Sequence, residues 1–119
     1  MVRLVSLKKS NHFKIALKEK KFHTDFFSIF AAKNFIKSKY RNDLIISFVM
    51  KKKIGNAVKR NRIKRKLKSI VQKLVKMNNL INLNYTYVIF GKEKTYKELS
   101  DSLFEKMKKS FKRIDGVEL

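Results

Sequence analysis

Arg60, Asn61, Arg62 and Arg65 stand within six positions of one another, three of the chain's six arginines beside an amide. Guanidinium groups grip phosphate oxygens in bidentate fashion, and an asparagine between them can both donate and accept. These four residues lie in Lys52–Lys68, KKIGNAVKRNRIKRKLK, which holds nine basic residues and no acid. Most charge runs are simply solvated helical faces. Within this one, no acid stands at i±3 or i±4 to relieve the repulsion. Phosphates would supply the missing counter-charge. The candidate nucleic-acid-binding residues are therefore Lys52, Lys53, Asn56, Arg60, Asn61, Arg62, Lys64, Arg65 and Lys68.

The rest of the composition agrees with an anionic partner. The chain has 119 residues, 44% hydrophobic and 34% charged, with a formal net charge of +22. A chain of this length makes one domain, read here as residues 1–119, and hides roughly two thirds of its unfolded surface. Self-repulsion at such a charge favours a partner that needs positive potential. Nucleic acid comes first, an anionic membrane surface second, an acidic protein third. Lysine outnumbers arginine 25 to six and proline is absent, a bias that inflates the lysine signal and leaves arginine the more informative residue.

Other chemistries are poorly supplied. There is no cysteine, so disulfides and thiolate metal sites are excluded. His12 and His23 lack metal-ligand neighbours and read as surface histidines, so no metal ligands are assigned. The nine acids are scattered, with none between Leu44 and Lys92, which leaves no carboxylate pair there for acid–base work or Mg²⁺. No Gly-x-x-x-x-Gly phosphate loop occurs. No apolar run approaches a membrane span and no secretory signal is visible, so a cytoplasmic location is expected.

The elements that must position the basic stretch follow from periodicity. Residues 1–9 are expected to be a mobile basic arm, and Ser10–Lys21 a helix with Phe13, Ala16 and Leu17 on one side. Asp25–Lys33 and Leu44–Lys52 read as strands, with a loop over Asn34–Asp43. A long helix follows Gly55 and ends at Asn78-Asn79. At about 100° per residue, Ile63, Leu67, Ile70 and Leu74 share an arc of about 60°, with Val71 beside them. Arg62, Arg65, Ser69, Gln72 and Lys76 point the other way, flanked by Asn61 and Lys68. Arg60 falls on the apolar side, reaching past the end of the sheet.

Tyr85–Lys92 is a further strand. Thr95-x-x-Glu98 reads as a capping box opening a last helix, with Tyr96, Leu99, Leu103, Met107 and Phe111 on one face. Residues 113–119 are expected to be a mobile tail. The order α-β-β(-β)-α-β-α makes a small α+β sandwich with a mixed sheet. A cleft between the first helix and the sheet, lined by Phe13, Leu17 and Phe30, would suit unstacked bases beside a basic track.

The run from Lys52 to Arg65, KKIGNAVKRNRIKR, closely resembles the signature of the bacterial ribonuclease P protein subunit: an Arg-Asn-Arg helix after a Lys-Lys-x-Gly-Asn-Ala-Val turn. The likeness extends over residues 7–112, as pattern more than identity outside the motif. It implies a protein that pairs with a large catalytic RNA and helps remove the 5′ leader of precursor tRNA. The RNA subunit would hold the Mg²⁺ ions and perform the hydrolysis, leaving no catalytic residue in this chain and no obligate protein or membrane partner. The resemblance also implies a left-handed crossover between parallel strands, against the general right-handed rule. Phe13 and Phe30 match leader-cleft positions. Leu17 stands where an aromatic is common, and Lys51 where a small polar residue is usual. A ribosome-associated structural RNA-binding protein would share the charge and size but need no cleft.

Overall fold

Alternation along three central strands divides the molecule into two apolar layers. The computed structural model describes residues 2–36, 42–77 and 80–114. Its strands are β1 (Arg3–Val5), β2 (Lys20–His23), β3 (Phe27–Lys33), β4 (Asp43–Val49) and β5 (Tyr85–Gly91). Its helices are α1 (Ser10–Ala16), α2 (Ala57–Leu74) and α3 (Ser100–Ile114), with 3₁₀ turns at Lys52–Ile54 and Glu93–Tyr96. The sheet order is β1-β4-β5-β3-β2; β4 runs parallel to both β1 and β5, and β3 antiparallel to β5 and β2. This is the mixed α+β arrangement the periodicities predict.

Because side chains alternate along a strand, Phe27, Ile29 and Ala31 of β3 face one way with Leu44, Ile46, Tyr87 and Ile89. They bury against the α2 stripe Ile63, Leu67, Ile70, Val71 and Leu74 and against Leu103, Met107 and Phe111 of α3. Ile45 and Val88 face the other way, where Ala16 of α1 packs with half-buried Phe13, Leu17, Phe30, Val49 and Phe90. Two long helices thus cover one face. One short helix covers part of the other.

Several expectations are corrected. The basic arm contains a strand: Arg3 pairs in register with Asp43 and forks onto its buried carboxylate, with Nε–Oδ1 at 3.0 Å and Nη2–Oδ2 at 2.9 Å. The Leu7 amide then donates to Ser47 Oγ at 2.8 Å, and the Leu7 side chain is buried. Three residues are too few for a period to register. The first helix stops at Ala16, and Lys20–His23 pairs with β3 instead. That segment alternates, placing half-buried Phe22 on the α3 side. Thr24 closes the hairpin, its Oγ1 accepting from the amides of Phe26 and Phe27.

The second strand ends at Val49 rather than Lys52, and α2 ends at Leu74, before Asn78-Asn79, which lie outside the described residues. The capping box does not form. Thr95 is buried and donates to the Phe26 carbonyl at 2.6 Å, so α3 begins at Ser100 and Leu99 is 74% exposed. The expected tail is helical through the buried Ile114, and 115–119 lie outside the described residues.

Candidate nucleic-acid interface

Gly55 and Asn56 set the start of α2 and so the direction of its charges. Gly55 adopts φ 154°, a region open essentially to glycine, and an added Cβ would stand 2.9 Å from Lys59 Cδ. Asn56 caps the helix, its side chain accepting from the Lys59 amide at 2.9 Å. Asn56, offered above as an RNA contact, thus has a structural task of its own.

With the Ile63–Leu74 stripe on the sheet, Asn61, Arg62, Lys64, Arg65 and Lys68 are all exposed, as are Lys52 and Lys53 on the preceding turn. Among the described residues no acid forms an ion pair with any of them; the acids Asp43, Glu93 and Glu98 pair instead with Arg3, Lys59 and Lys106. Arg60 is half-buried beside a depression of about 200 Å³ lined by Phe48, Met50, Ala57, Asn61 and Lys64. Its Nε is buried and has no hydrogen-bond partner among the described residues. That agrees with its expected reach past the sheet's end.

Two lysines of the stretch are turned to other work. Lys66 Nζ donates to the carbonyls of Thr95, Tyr96 and Glu98 at 3.1, 3.2 and 2.6 Å, tying α2 to the segment before α3. Lys59 Nζ lies 3.4 Å from Glu93 and 5.2 Å from the Tyr96 ring centre. Replacing Lys66 by Met keeps the stem but leaves three carbonyls without their cation. We expect a loss of about 1.5–3 kcal/mol in urea unfolding, with nucleic-acid affinity of the folded protein unchanged. A weakened affinity at unchanged stability would instead make Lys66 a phosphate contact.

On the other face, a cleft of about 570 Å³ opens beside α1. Leu17 and Phe30 line it, as expected. Phe13 joins them in the same apolar cluster but is not among the cleft's lining residues. The wall residues that sequence reasoning missed include His23, Lys51, Lys53, Phe90 and Lys92, and one acid, Glu93. Phe30 and Phe90 meet edge to face at 5.5 Å, His23 meets Phe30 at 5.7 Å, and Lys51 Nζ lies 5.7 Å from the Phe90 ring. His23 Nδ1 and Ser28 Oγ are hydrogen-bonded at 2.6 Å, which fixes the imidazole on the cleft wall. Phe90 lies two residues beyond Val88, on the face that Val88 shares with Phe30, a relation that only the β3–β5 register reveals.

Gly91 lies between the two surfaces. It lines the cleft in front, and behind it an added Cβ would meet Met50 Sδ and stand 2.9 Å from Ile63 Cγ2 of α2. Lysines from the 51–53 turn rim the cleft, and the same turn leads into the basic helix. Among the described residues no three His, Asp or Glu side chains group as a metal site, and no helix is long and apolar enough to cross a membrane.

Comparison with known proteins bears on the family and the fold. The family described as Ribonuclease P matches residues 1–115. A ribonuclease P protein component from Bacillus mycoides (strain KBAB4) is 40% identical over 74 residues, 58% of this chain. The chain spans 62% of the length of that relative. The structure of the Staphylococcus aureus RNase P protein superimposes with a TM-score of 0.70 at 21% identity, covering 94% of this chain and 95% of that one. The Thermotoga maritima RNase P protein gives 0.71 at 22%, covering 90% and 94%. At these identities the structural matches speak for the fold.

Proposed function

Because this chain belongs to the ribonuclease P protein family, we propose that it serves as the protein component of ribonuclease P, binding the catalytic RNA subunit through the outer face of α2 and the 5′ leader of precursor tRNA through the cleft. One observation carries this reading. An acid-free cationic helix face and an aromatic cleft rimmed by lysines are joined by a single turn, residues 51–56.

The two surfaces suit two states of RNA. Arg62, Arg65, Lys64 and Lys68 present guanidinium and ammonium groups to phosphates of a folded RNA, a contact that needs charge and no base recognition. The cleft offers ring surfaces of Phe30 and Phe90 to unpaired bases, while Lys51, Lys53 and Lys92 stand near enough to meet the intervening phosphates. Precursor tRNA carries the leader and mature tRNA does not, so each cleft contact favours substrate over product. Hydrolysis belongs to the RNA subunit and its Mg²⁺. This chain positions the leader and supplies no nucleophile, acid or base.

Addition of the chain to a bacterial ribonuclease P RNA at low Mg²⁺ should restore cleavage of precursor tRNA. Binding to RNA without restored cleavage would instead favour a structural, ribosome-associated role. Within the restored enzyme, Phe30→Ser should lower the preference for precursor over mature tRNA by about tenfold, the loss of one stacked base. Affinity for mature tRNA should stay as in the parent. An equal loss for both tRNAs would remove Phe30 from leader recognition, with a thermal melt showing that the variant is folded.

A further inference from the structure

A second groove lies around the sheet edge from the cleft, between β2 and α3. It measures about 360 Å³, and Phe22, Phe26, Lys106, Lys109 and Arg113 line it together with one acid, Asp25. Phe22 and Phe26 are half-buried at the rim of the larger core, so each leaves part of a ring uncovered. Lys106 Nζ stands 5.1 Å from the Phe26 ring centre, and the Arg113 guanidinium 5.6 Å from that of Phe22. Lys106, Lys109 and Arg113 fall at i, i+3 and i+7, one face of a helix.

A plainer reading is available: long cationic side chains often lie over apolar rings merely to cover them. It accounts for Lys106, which is also held by Ser102 Oγ at 2.7 Å and lies 3.9 Å from Glu98. It does not account for Lys109, which is exposed while Lys106 and Arg113 take the two rings, and which adds a third positive charge to the same face. Rings interleaved with cations are the composition of a track for single-stranded nucleic acid.

Position favours the same occupant. Lys92 lines the cleft and its Nζ donates to the carbonyl of Thr24 at 2.6 Å, while Thr24 lines the second groove. Only the β2–β3 turn separates the two. That turn is held from behind by Thr95, whose hydroxyl donates to the Phe26 carbonyl. A strand leaving the cleft past His23 would cross a fixed ridge and arrive on Phe22 and Phe26.

We propose that this groove receives the distal part of the 5′ leader, the nucleotides beyond those held in the cleft. The inference rests on the leader-cleft reading above and extends it. The test is the double variant Lys109→Ala/Arg113→Ala, both exposed positions, in the holoenzyme assembled with a bacterial ribonuclease P RNA. Affinity is measured for precursors whose leaders either just fill the cleft or run well past it. The parent should bind the longer leader more tightly, and the variant should lose about tenfold on that substrate alone. Equal losses at both lengths would overturn the proposal in favour of a general electrostatic contact, and no loss at either would overturn it outright. Leader-length dependence that stops at the cleft also defeats it while leaving the cleft intact. A parent indifferent to any leader, with Phe30→Ser silent, would defeat both readings together.

Discussion

Replacing Arg62, Arg65 and Lys68 together by alanine should weaken binding to the RNA subunit by about 50- to 200-fold at 0.15 M salt, with the deficit closing towards 1 M. Each phosphate contact contributes about 0.7–0.9 to the slope of log affinity against log salt, through released counterions. Three contacts therefore remove about 2.1–2.7 from that slope, and the fold-change follows by extrapolation from a 1 M reference. The three side chains are exposed and form no ion pair among the described residues, so their removal should leave stability within about 0.5 kcal/mol of the parent. Filter binding or fluorescence anisotropy over a salt series measures both quantities. A loss of affinity at unchanged slope would mean that these residues act through the fold and not on phosphate.

Arg60 is left out of that set on structural grounds. Its half-buried stem lies against the depression that Phe48 and Met50 line, and its Nε has no hydrogen-bond partner among the described residues. Truncating it would alter packing at the end of β4 as well as charge. An unpaired buried donor is costly, and a phosphate oxygen from an RNA lying along α2 would satisfy it. The neighbouring lysines show why charge alone could not assign these roles. Lys59 and Lys66 belong to the same acid-free run, but seven residues apart they share a side of the helix and face the 92–98 segment, where carbonyls and Glu93 engage them. Helical phase, not charge, marks them: at about 100° per residue Lys59 and Lys66 fall about 40° and 60° from Ile63, beside the apolar stripe.

Legibility in the sequence followed the length of the signal. The α2 stripe spans twelve residues from Ile63 to Leu74, and all five of its apolar members are buried. The β3, β4 and β5 runs are apolar on both faces because both faces are covered, and each was visible as a strand. β1 and β2 were not, since three and four residues carry no period. β2 also sits in a lysine-rich segment whose composition suits a helix equally well. What decides for the strand is distant: Phe22 has a place on the α3 side only if Lys20–His23 pairs with β3. Thr95 failed as a capping residue for a similar reason. Its side chain is buried and turned to donate to the Phe26 carbonyl, 69 residues away in sequence, instead of accepting from a helix amide.

The candidate site was legible in its helix and only half legible in its cleft. Leu17 and Phe30 reach the wall because one lies just past α1 and the other faces it from β3. Phe90 and the lysine rim required knowing that β5 lies beside β3 and that the 51–53 turn closes over the strand ends. Strand order is a property of the whole sheet, and no local pattern encodes it. Gly91 belongs with these. Its close approach to Met50 and Ile63 is where the cleft wall meets the basic helix, so the spacing between the two surfaces depends on a missing side chain.

The second large effect concerns stability, and through it the meaning of the charge. Phe111 is fully buried and meets Tyr87 edge to face at 5.1 Å. Phe111→Ala should cost about 3–5 kcal/mol, the usual range for emptying such a site. Domains of this size have about 5–15 kcal/mol in hand, and a net charge of +22 erodes that further at low ionic strength. The variant should therefore be partly unfolded in dilute buffer. Because only the folded chain presents the α2 face, RNA at one hundred times its dissociation constant should return about 2.7 kcal/mol by linkage. Circular dichroism melts with and without a bacterial ribonuclease P RNA would show the rescue as a rise in Tm. In the combined variant with Arg62, Arg65 and Lys68 also replaced, that rise should largely vanish at the same RNA concentration. Persistence of the full rise would place the stabilising contacts elsewhere on the molecule. A Phe111→Ala cost below about 1 kcal/mol would show that α3 is not held by the core as its packing on Tyr87 implies.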